Sequence, residues 1–594
     1  MFTEIPPSFI LFAGALATLL LRGRARNIFL VALPALVFWQ ISQLPHGTGM
    51  AVELLPKFDA LELLRVDKLS KAFGYIFTLN AAIAFLFAFY VKKAVQHVWA
   101  LIYIGSSLGV VFAGDLISLY FFWELMAVSS AFVILARNTP RAKRAAFRYV
   151  MVHVFGGLVL LAGIVITIST KGTSAFDGFD YAEADVGTWL IMAGFLVNAA
   201  APFVSAWLSD AYPEASVTGG VILSAYTTKT AVYVLLRGFA GWEPLILIGC
   251  VMTIYGIIYA LLENDMRRIL AYSIINQVGF MVCAVGIGTK MAISGAVAHA
   301  FCHIIYKSLL WMSAGAVLYR TGKSRCTELG GLYKTMPWTL LFGGIGALAI
   351  SAVPLTSGFT SKTIIIAASE HQHLFWTWLV LELASAGVFL HAGIKFPYFV
   401  FFNQDRGLRP KEAPKTMLAA MGIMSFLCIW LGIRPQALYD ILPYSVDYTA
   451  YTPSHLVTQM QLLMFSALVF FLFLPLLKRT PTISLDTDWF YRKGSIAFYN
   501  AMDRSLNTIN DFTNKWIAVR FTGWLGRLSR NAPAELVGWL AVPYWGLRGL
   551  PLQEIKSRRH HLVAHAKQGA FPIGLTACLA VSMLAIAYLV ASLR

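Results

Sequence analysis

His299, His303 and Lys307 recur at i, i+4 and i+8 inside the apolar run 291–318. On an α-helix this stacks two imidazoles and an ammonium along one face over two turns. A Lys near the centre of a membrane span costs about 2.5–3.5 kcal/mol, so a chain that keeps one there uses it, and the stretch is the candidate axis of a proton or ion path. Other ionisable groups sit in equally apolar surroundings. They are Glu124 in Leu-Tyr-Phe-Phe-Trp-Glu-Leu-Met, Lys229 in Ala-Tyr-Thr-Thr-Lys-Thr-Ala-Val, His153, Lys362, and the pair Glu382 and Lys395 in one later run. About nine such groups, unpaired in lipid, would cost on the order of 20 kcal/mol, so they must face one another or water. A Lys shielded from water releases its proton more readily, a nearby carboxylate lets it keep it, and histidines relay near neutrality. His153 also reads as a packing histidine, and Glu382 and Lys395 as side chains snorkelling to the interfaces. His299 with His303 has no third ligand at matching spacing, which argues against a metal site.

The elements that position these groups must be membrane helices. The 594 residues are 58% hydrophobic and 13% charged, with mean hydropathy +0.68, whereas soluble chains carry about 25% charged residues. This is a polytopic membrane protein of all-α class. Runs of roughly 20 apolar residues predict about 16 helices, near 8–21, 27–43, 68–91, 97–114, 116–136, 145–170, 187–208, 216–240, 242–262, 269–288, 291–319, 336–369, 374–402, 415–434, 460–477 and 570–592. Loop charge alternates along that count. Basic segments (Arg22 to Arg26, Lys92-Lys93, Arg137 to Arg144, Arg267-Arg268, Arg320 to Lys334, Arg406 to Lys415) alternate with acidic or neutral ones (Glu53 to Asp67, Asp177 to Asp185, Asp440 to Asp447). By the positive-inside rule both termini lie outside. The first run, 9–21, is followed rather than preceded by arginines, which reads as a retained span and not a cleaved signal. The formal charge of +18 is then a topology signal, and no nucleic-acid partner is expected. Six scattered Cys without a CxxC spacing read as small core residues and argue against iron–sulfur, zinc and disulfide frameworks. With no phosphate loop or nucleophile elbow either, the expectation is a transporter without cofactors, driven by an ion gradient or by a partner protein.

Two spans carry breaks, Asn198-Ala-Ala-Ala-Pro202 leading to Trp207-Leu-Ser-Asp210, and Ser351-Ala-Val-Pro354 leading to Gly358 and Lys362. Pro removes a donor and interrupts the helix. Matched breaks separated by five spans are the pattern of two inverted five-helix repeats. Beyond residue 478, Met502, Leu506, Ile509, Phe512, Trp516, Trp524 and Leu528 fall at helical spacing with polar residues between. With about 14 basic against 6 acidic residues over 478–567, this is an amphipathic helix on the cytoplasmic membrane surface, a brace along neighbouring subunits or a lipid anchor. Pro533, Pro543 and Pro551 are expected to interrupt it.

These segments together resemble the antiporter-like family shared by Mrp-type sodium/proton antiporters and the proton-pumping membrane subunits of respiratory complex I and related hydrogenases. The matching stretches are Phe121-Phe-Trp-Glu124-Leu-Met, Trp207-Leu-Ser-Asp210-Ala, Thr228-Lys229-Thr-Ala-Val-Tyr, Arg268-Ile-Leu-Ala-Tyr-Ser273 with Gln277-Val-Gly279, the His299/His303/Lys307 series, and Pro354-Leu-Thr-Ser-Gly-Phe-Thr-Ser-Lys362. They cover about residues 95–430 and are most similar to the D-type subunits of the Mrp antiporters. The resemblance implies two half-channels joined by a hydrated axis of charge, with N-terminal helices over 1–94, repeats over 95–240 and 241–405, peripheral helices over 406–480, a surface segment over 481–568 and a last span over 569–594. It implies Glu124 as the carboxylate of a charge pair, Lys229 and Lys307 as central proton carriers, and Lys362 as the exit-side Lys. It also implies a bacterial inner-membrane location among other membrane subunits, with protons and sodium or another monovalent cation as substrates. Two positions depart from the family. Its Lys in the first broken helix is replaced here by Asn198, which cannot carry a proton. The tail with Asp486-Thr-Asp-Trp-Phe-Tyr-Arg-Lys493 is similar to the lateral helix of the largest antiporter-like subunit of complex I instead. Cation/proton exchange, a redox-driven proton-pumping arm and a transport-impaired scaffold all stay open at this point.

Overall fold

A computed structural model describes residues 5–53, 60–476, 479–480, 485–487, 489–566 and 573–592. The chain forms two compact units, 1–489 and 490–594. The first opens with α1 (Pro7–Leu20), α2 (Gly23–Gln43), a hairpin of β1 (Gly49–Val52) with β2 (Leu61–Arg65), and α3 (Lys68–Phe87). The short hairpin is the one strand pair among the described residues, an addition to the expected all-helical fold. It sits where an acidic loop was predicted.

Two runs of five helices follow. The first is α4 (Ala94–Phe112), α5 (Leu116–Leu135), α6 (Pro140–Lys171), α7 (Val186–Asn198) and α8 (Ala206–Ala211). After α9 (Val217–Leu223) and α10 (Thr227–Gly238) comes the second, α11 (Pro244–Leu262), α12 (Met266–Ile287), α13 (Lys290–Thr321), α14 (Pro337–Ile350) and α15 (Ser357–His371). Their end signals match. Asp115 and Asp265 accept from the first backbone N–H groups of α5 and α12. Thr139 and Thr289 do the same for α6 and α13, as N-cap side chains do. Gly172 and Gly322 close α6 and α13, both at φ +69°, a left-handed turn that glycine enters without steric cost. The bundle continues through α16 (Phe375–Val388), α17 (Lys415–Ile433), α18 (Gln436–Tyr439) and α19 (Pro453–Leu472). Outside the spans, burial pushes the Asp67 carboxyl up, but Arg237 beside it and hydrogen bonds from Ser70 hold it below the usual range, so it stays ionised as the N-cap of α3.

Among the described residues twelve helical stretches are long and apolar enough to cross a membrane, and four shorter apolar helices accompany them. The protein is a multi-pass membrane protein. The sequence count of 16 treats each of these as a full span. The core is α9–α10, α12 and α13. Every residue from Ala292 to Val317 in α13 is buried, so the His/Lys face is one side of a helix enclosed all round.

The two predicted breaks are present and share one geometry. Ala200 and Phe203 after α7, and Ala352 and Leu355 after α14, take φ of 60°, 73°, 58° and 69°. This left-handed conformation is unfavourable for residues with a side chain; Ala200 and Ala352 are fully buried in it, whereas Phe203 and Leu355 are exposed. A third break appears where the sequence predicts continuous helix, at 224–226 between α9 and α10. No Pro or Gly marks it. Tyr103 supplies the reason, because its hydroxyl accepts from Thr227 N–H at 2.9 Å and pairs with Thr227 Oγ1 at 2.6 Å, replacing the helical partner. The predicted span 374–402 also changes character, passing from α16 into π-helical turns over Phe389–Lys395 and Tyr398–Phe402.

The second unit contains α20 (Ser495–Thr513), a π-helical stretch Asn514–Phe521, α21 (Thr522–Leu547), α22 (Leu552–Ala566) and α23 (Ile573–Ser592). Helix runs without interruption from Ser495 to Leu547. Pro533 and Pro543 therefore do not end it, contrary to expectation, and the chain turns only at 548–551, where Gly549 has φ +76°. A lost donor and a local kink are tolerated within a long helix whose other turns stay bonded.

Candidate functional site

Lys229, Lys307 and Lys362 are fully buried and hold no ion pair among the described residues. Each ammonium is met by neutral oxygens that a break or a neighbouring helix provides. Lys229 Nζ donates to the Ser224 carbonyl at 2.7 Å and to Thr228 Oγ1 at 3.2 Å, and Ser224 is free to accept because α9 stops there. Lys307 Nζ donates to Ser273 Oγ of α12 at 2.8 Å. Lys362 Nζ donates to the Ile350 carbonyl at 2.9 Å, at the end of α14, and stands 5.5 Å from the Phe280 ring centroid. Pro354 lacks the N–H that would have taken that carbonyl. Gly358 lets α15 start against α14, since a methyl group there would collide with the Ala349 carbonyl.

The two histidines join these lysines into one row. His299 and His303 have ring centroids 6.2 Å apart, and His303 meets Tyr306 edge-on at 5.3 Å. His299 Nδ1 lies 3.5 Å from Ser361 Oγ. His299 Nε2 and both ring nitrogens of His303 are buried without a protein hydrogen-bond partner. His303 is within electrostatic reach of Lys229, Lys307, His299 and Lys362. Sequence reasoning quoted Gln277 only within a matching stretch and did not foresee the polar contacts beside this row. Tyr306 donates to Gln277 Oε1 at 3.1 Å, Gln277 to Asn276 Oδ1 at 2.6 Å, and Ser308 to Asn80 Oδ1 at 2.8 Å. It also missed His391, buried within electrostatic reach of Lys307, Lys362 and Lys395. A His inside the apolar run 374–402 was the available signal.

Toward one end of the row, Glu382 is half-buried and within electrostatic reach of Lys362. With Glu370, His455, Thr363 and Gln459 it lines a cavity of about 380 Å3. Lys395 stands apart. Its Nζ donates to the carbonyls of Ala260, Leu261 and Glu263 at 2.7, 2.9 and 2.7 Å, saturating the last turn of α11 as a cation at a helix C-terminus does.

The first run of five presents different chemistry on the same frame. Glu124 is half-buried rather than deep, and its Oε1 has no partner. The carboxylate leans on Gly157 of α6, where a methyl group would collide with it. Asn198 is buried at the end of α7 with both amide atoms unpartnered, and no hydrogen bond joins it to Glu124. His153 Nδ1 donates to the Tyr149 carbonyl at 2.9 Å, and the ring stacks on Tyr149 at 3.9 Å and meets Trp207 at 4.6 Å. The nearby charge pair is Arg148 with Asp210, bidentate at 2.6 and 2.8 Å.

Residues 113–388 match the family described as NADH:quinone oxidoreductase/Mrp antiporter, TM. The chain is 33% identical over 356 residues to a D-type Na(+)/H(+) antiporter subunit of Alkalihalophilus pseudofirmus, covering 56% of this chain and 71% of that one. The chain belongs to the NADH:quinone oxidoreductase/Mrp antiporter transmembrane family. A second relative within it is a probable K(+)/H(+) antiporter subunit of Rhizobium meliloti, 28% identical over 65% of this chain, of whose own length the chain spans 41%. The family fold is also that found in the Mrp complex from Dietzia sp., with TM-score 0.75, 24% identity and coverage of 90% of this chain and 62% of that one. The matched region 113–388 contains Glu124, Lys229, His299, His303, Lys307, Lys362 and both predicted breaks, whereas Asn80, His391, Lys395, His455 and Gln459 lie outside it.

Proposed function

We propose that this chain is the proton-conducting subunit of a multi-subunit inner-membrane complex that exchanges protons for a monovalent cation, sodium or potassium. The observation that carries this reading is three fully buried lysines that make no ion pair among the described residues, linked by two histidines with unpartnered ring nitrogens. Neighbouring ammonium groups in a low-dielectric interior repel, so a proton arriving at one displaces a proton from the next. The orphaned imidazole nitrogens supply acceptors between Lys307 and Lys362, and buried polar atoms without protein partners are served by water. From Lys362 the path continues past Glu382 to the 380 Å3 cavity, which the loop charges put on the outer side. Glu124, half-buried on α5 with an unpartnered Oε1 against Gly157, belongs to the opposite end of the axis. The names of the relatives support the cation exchange, and the loop-charge alternation supports both termini outside.

The test is Lys307→Ala in everted membrane vesicles, following cation-dependent proton movement with a pH dye. Loss of at least 100-fold is expected, against an unchanged rate for the exposed control Lys290→Gln. Full transport in Lys307→Ala would remove the His/Lys row from the path.

A further inference from the structure

A second site stands at the opposite end of the fold from the Glu382 cavity, among the helix ends that carry the basic loops. Five arginines, Arg137, Arg141, Arg267, Arg268 and Arg325, line a cavity of about 160 Å3 together with Glu214 and Asp265. The two carboxylates are already committed. Glu214 is 3.4 Å from Arg137. Asp265 accepts from the N–H groups of Arg267 and Arg268 at 2.8 and 3.2 Å and from the Ser324 hydroxyl. Arg268 is 3.8 Å from Glu263, and Arg325 3.9 Å from Glu328, the latter a solvent-exposed pair.

That leaves two guanidinium groups without a direct carboxylate contact among the described residues. Arg141 is exposed and makes no hydrogen bond or ion pair among the described residues. Arg267 is 1% exposed. It donates only to the carbonyls of Pro213, Ala215 and Ser216 at 2.7, 2.9 and 3.0 Å, lies over Trp311, and keeps its Nε without a partner. Asp265 and Glu214 act on it across the cavity without touching it, and each is committed to other partners, so a buried cation held by carbonyl contacts is still costly and an anion in the adjoining cavity offsets that cost. The N-terminus of the 32-residue α6 opens at the same cavity through Thr139, adding a favourable field for negative charge. The cavity lies at the ends of membrane helices, the level of lipid headgroups in a bilayer.

We propose that this cavity binds a phosphate-bearing anion, with Arg141 and Arg325 closing over the phosphate and Arg267 providing the buried counter-charge. Planar guanidinium groups pair with phosphate oxygens bidentately, and basic pockets between membrane helices on the cytoplasmic side take anionic headgroups. Both an anionic phospholipid and free phosphate have the required chemistry.

The full chain with its associated subunits, purified in detergent, is titrated with phosphatidylglycerol micelles, with phosphatidylcholine micelles and with inorganic phosphate while thermal unfolding is followed. The double variant Arg141→Gln/Arg325→Gln is titrated alongside. Both substitutions are at exposed positions and leave Arg267 in place. Saturable stabilisation by phosphatidylglycerol but not by phosphatidylcholine, weakened at least tenfold in the double variant, identifies a headgroup site. The same pattern with inorganic phosphate alone identifies a free-phosphate site. No saturable effect of either anion, or an effect equal in the variant, overturns the proposal.

Discussion

The two runs of five helices differ in chemistry far more than in backbone. α6 and α13 are both 32 residues long, and His153 and His303 are each the fourteenth residue of their helix. Four residues further on, α6 carries Gly157 and α13 carries Lys307. In the first run the charged group at this contact comes from the other side, since Glu124 of α5 rests on Gly157. In the second, Lys307 reaches from α13 to Ser273 of α12. The breaks show the same contrast. A carbonyl at the end of α7 is taken by the Trp207 indole at 3.0 Å, and the carbonyl ending α14 by the Lys362 ammonium at 2.9 Å. One frame thus supports either a neutral closure or a protonatable one. The break geometry is common to both runs, whereas the side chain placed at the freed backbone groups, an indole in one and an ammonium in the other, differs.

This contrast can be broken most sharply at the paired histidines. His303→Ala is expected to lower proton transport more than 10-fold, because it removes two free imidazole nitrogens from among Lys229, Lys307 and Lys362. His153→Ala is expected to change it less than threefold, its Nδ1 being committed to a backbone carbonyl and its unpartnered Nε2 having no lysine within electrostatic reach. Equal losses in vesicle assays would mean that the first run conducts as well as the second. A smaller effect is expected of Asn198→Lys, which introduces an ammonium at the end of α7 on the Glu124 side of the bundle. The variant should fold and shift the pH profile of transport by a few-fold in rate. An unaltered profile would mark the first run as scaffold. The smallest effect tests the shared backbone. Ala200→Gly and Ala352→Gly each relieve a left-handed residue and should raise stability by about 1 kcal/mol with transport unchanged. Stabilisation at one site only would show that the two breaks are held differently.

Much of this was open to a reader of the sequence. Membrane character follows from composition, since a chain this apolar has no soluble core to form. Both Pro-centred breaks follow from covalent chemistry, a missing N–H and a fixed φ. The row of His299, His303 and Lys307 follows from helical periodicity. The tail's apolar spacing likewise announces a long helix, but its continuity through Pro533 and Pro543 did not follow, because a Pro inside a helix either ends it or bends it and only the neighbouring turns decide.

What only the tertiary structure decided concerns groups satisfied by distant partners. The break at 224–226 exists because the Tyr103 hydroxyl, 124 residues away in the chain, replaces a helical bond of Thr227. Lys395 lies in an apolar run like the central lysines, yet three carbonyls at the end of α11 claim it. Glu124 lies in a run as apolar as theirs and is nonetheless only half-buried. Local sequence states that a charge is withheld from water, and the identity of the atoms that then receive it depends on helices brought together from elsewhere in the chain.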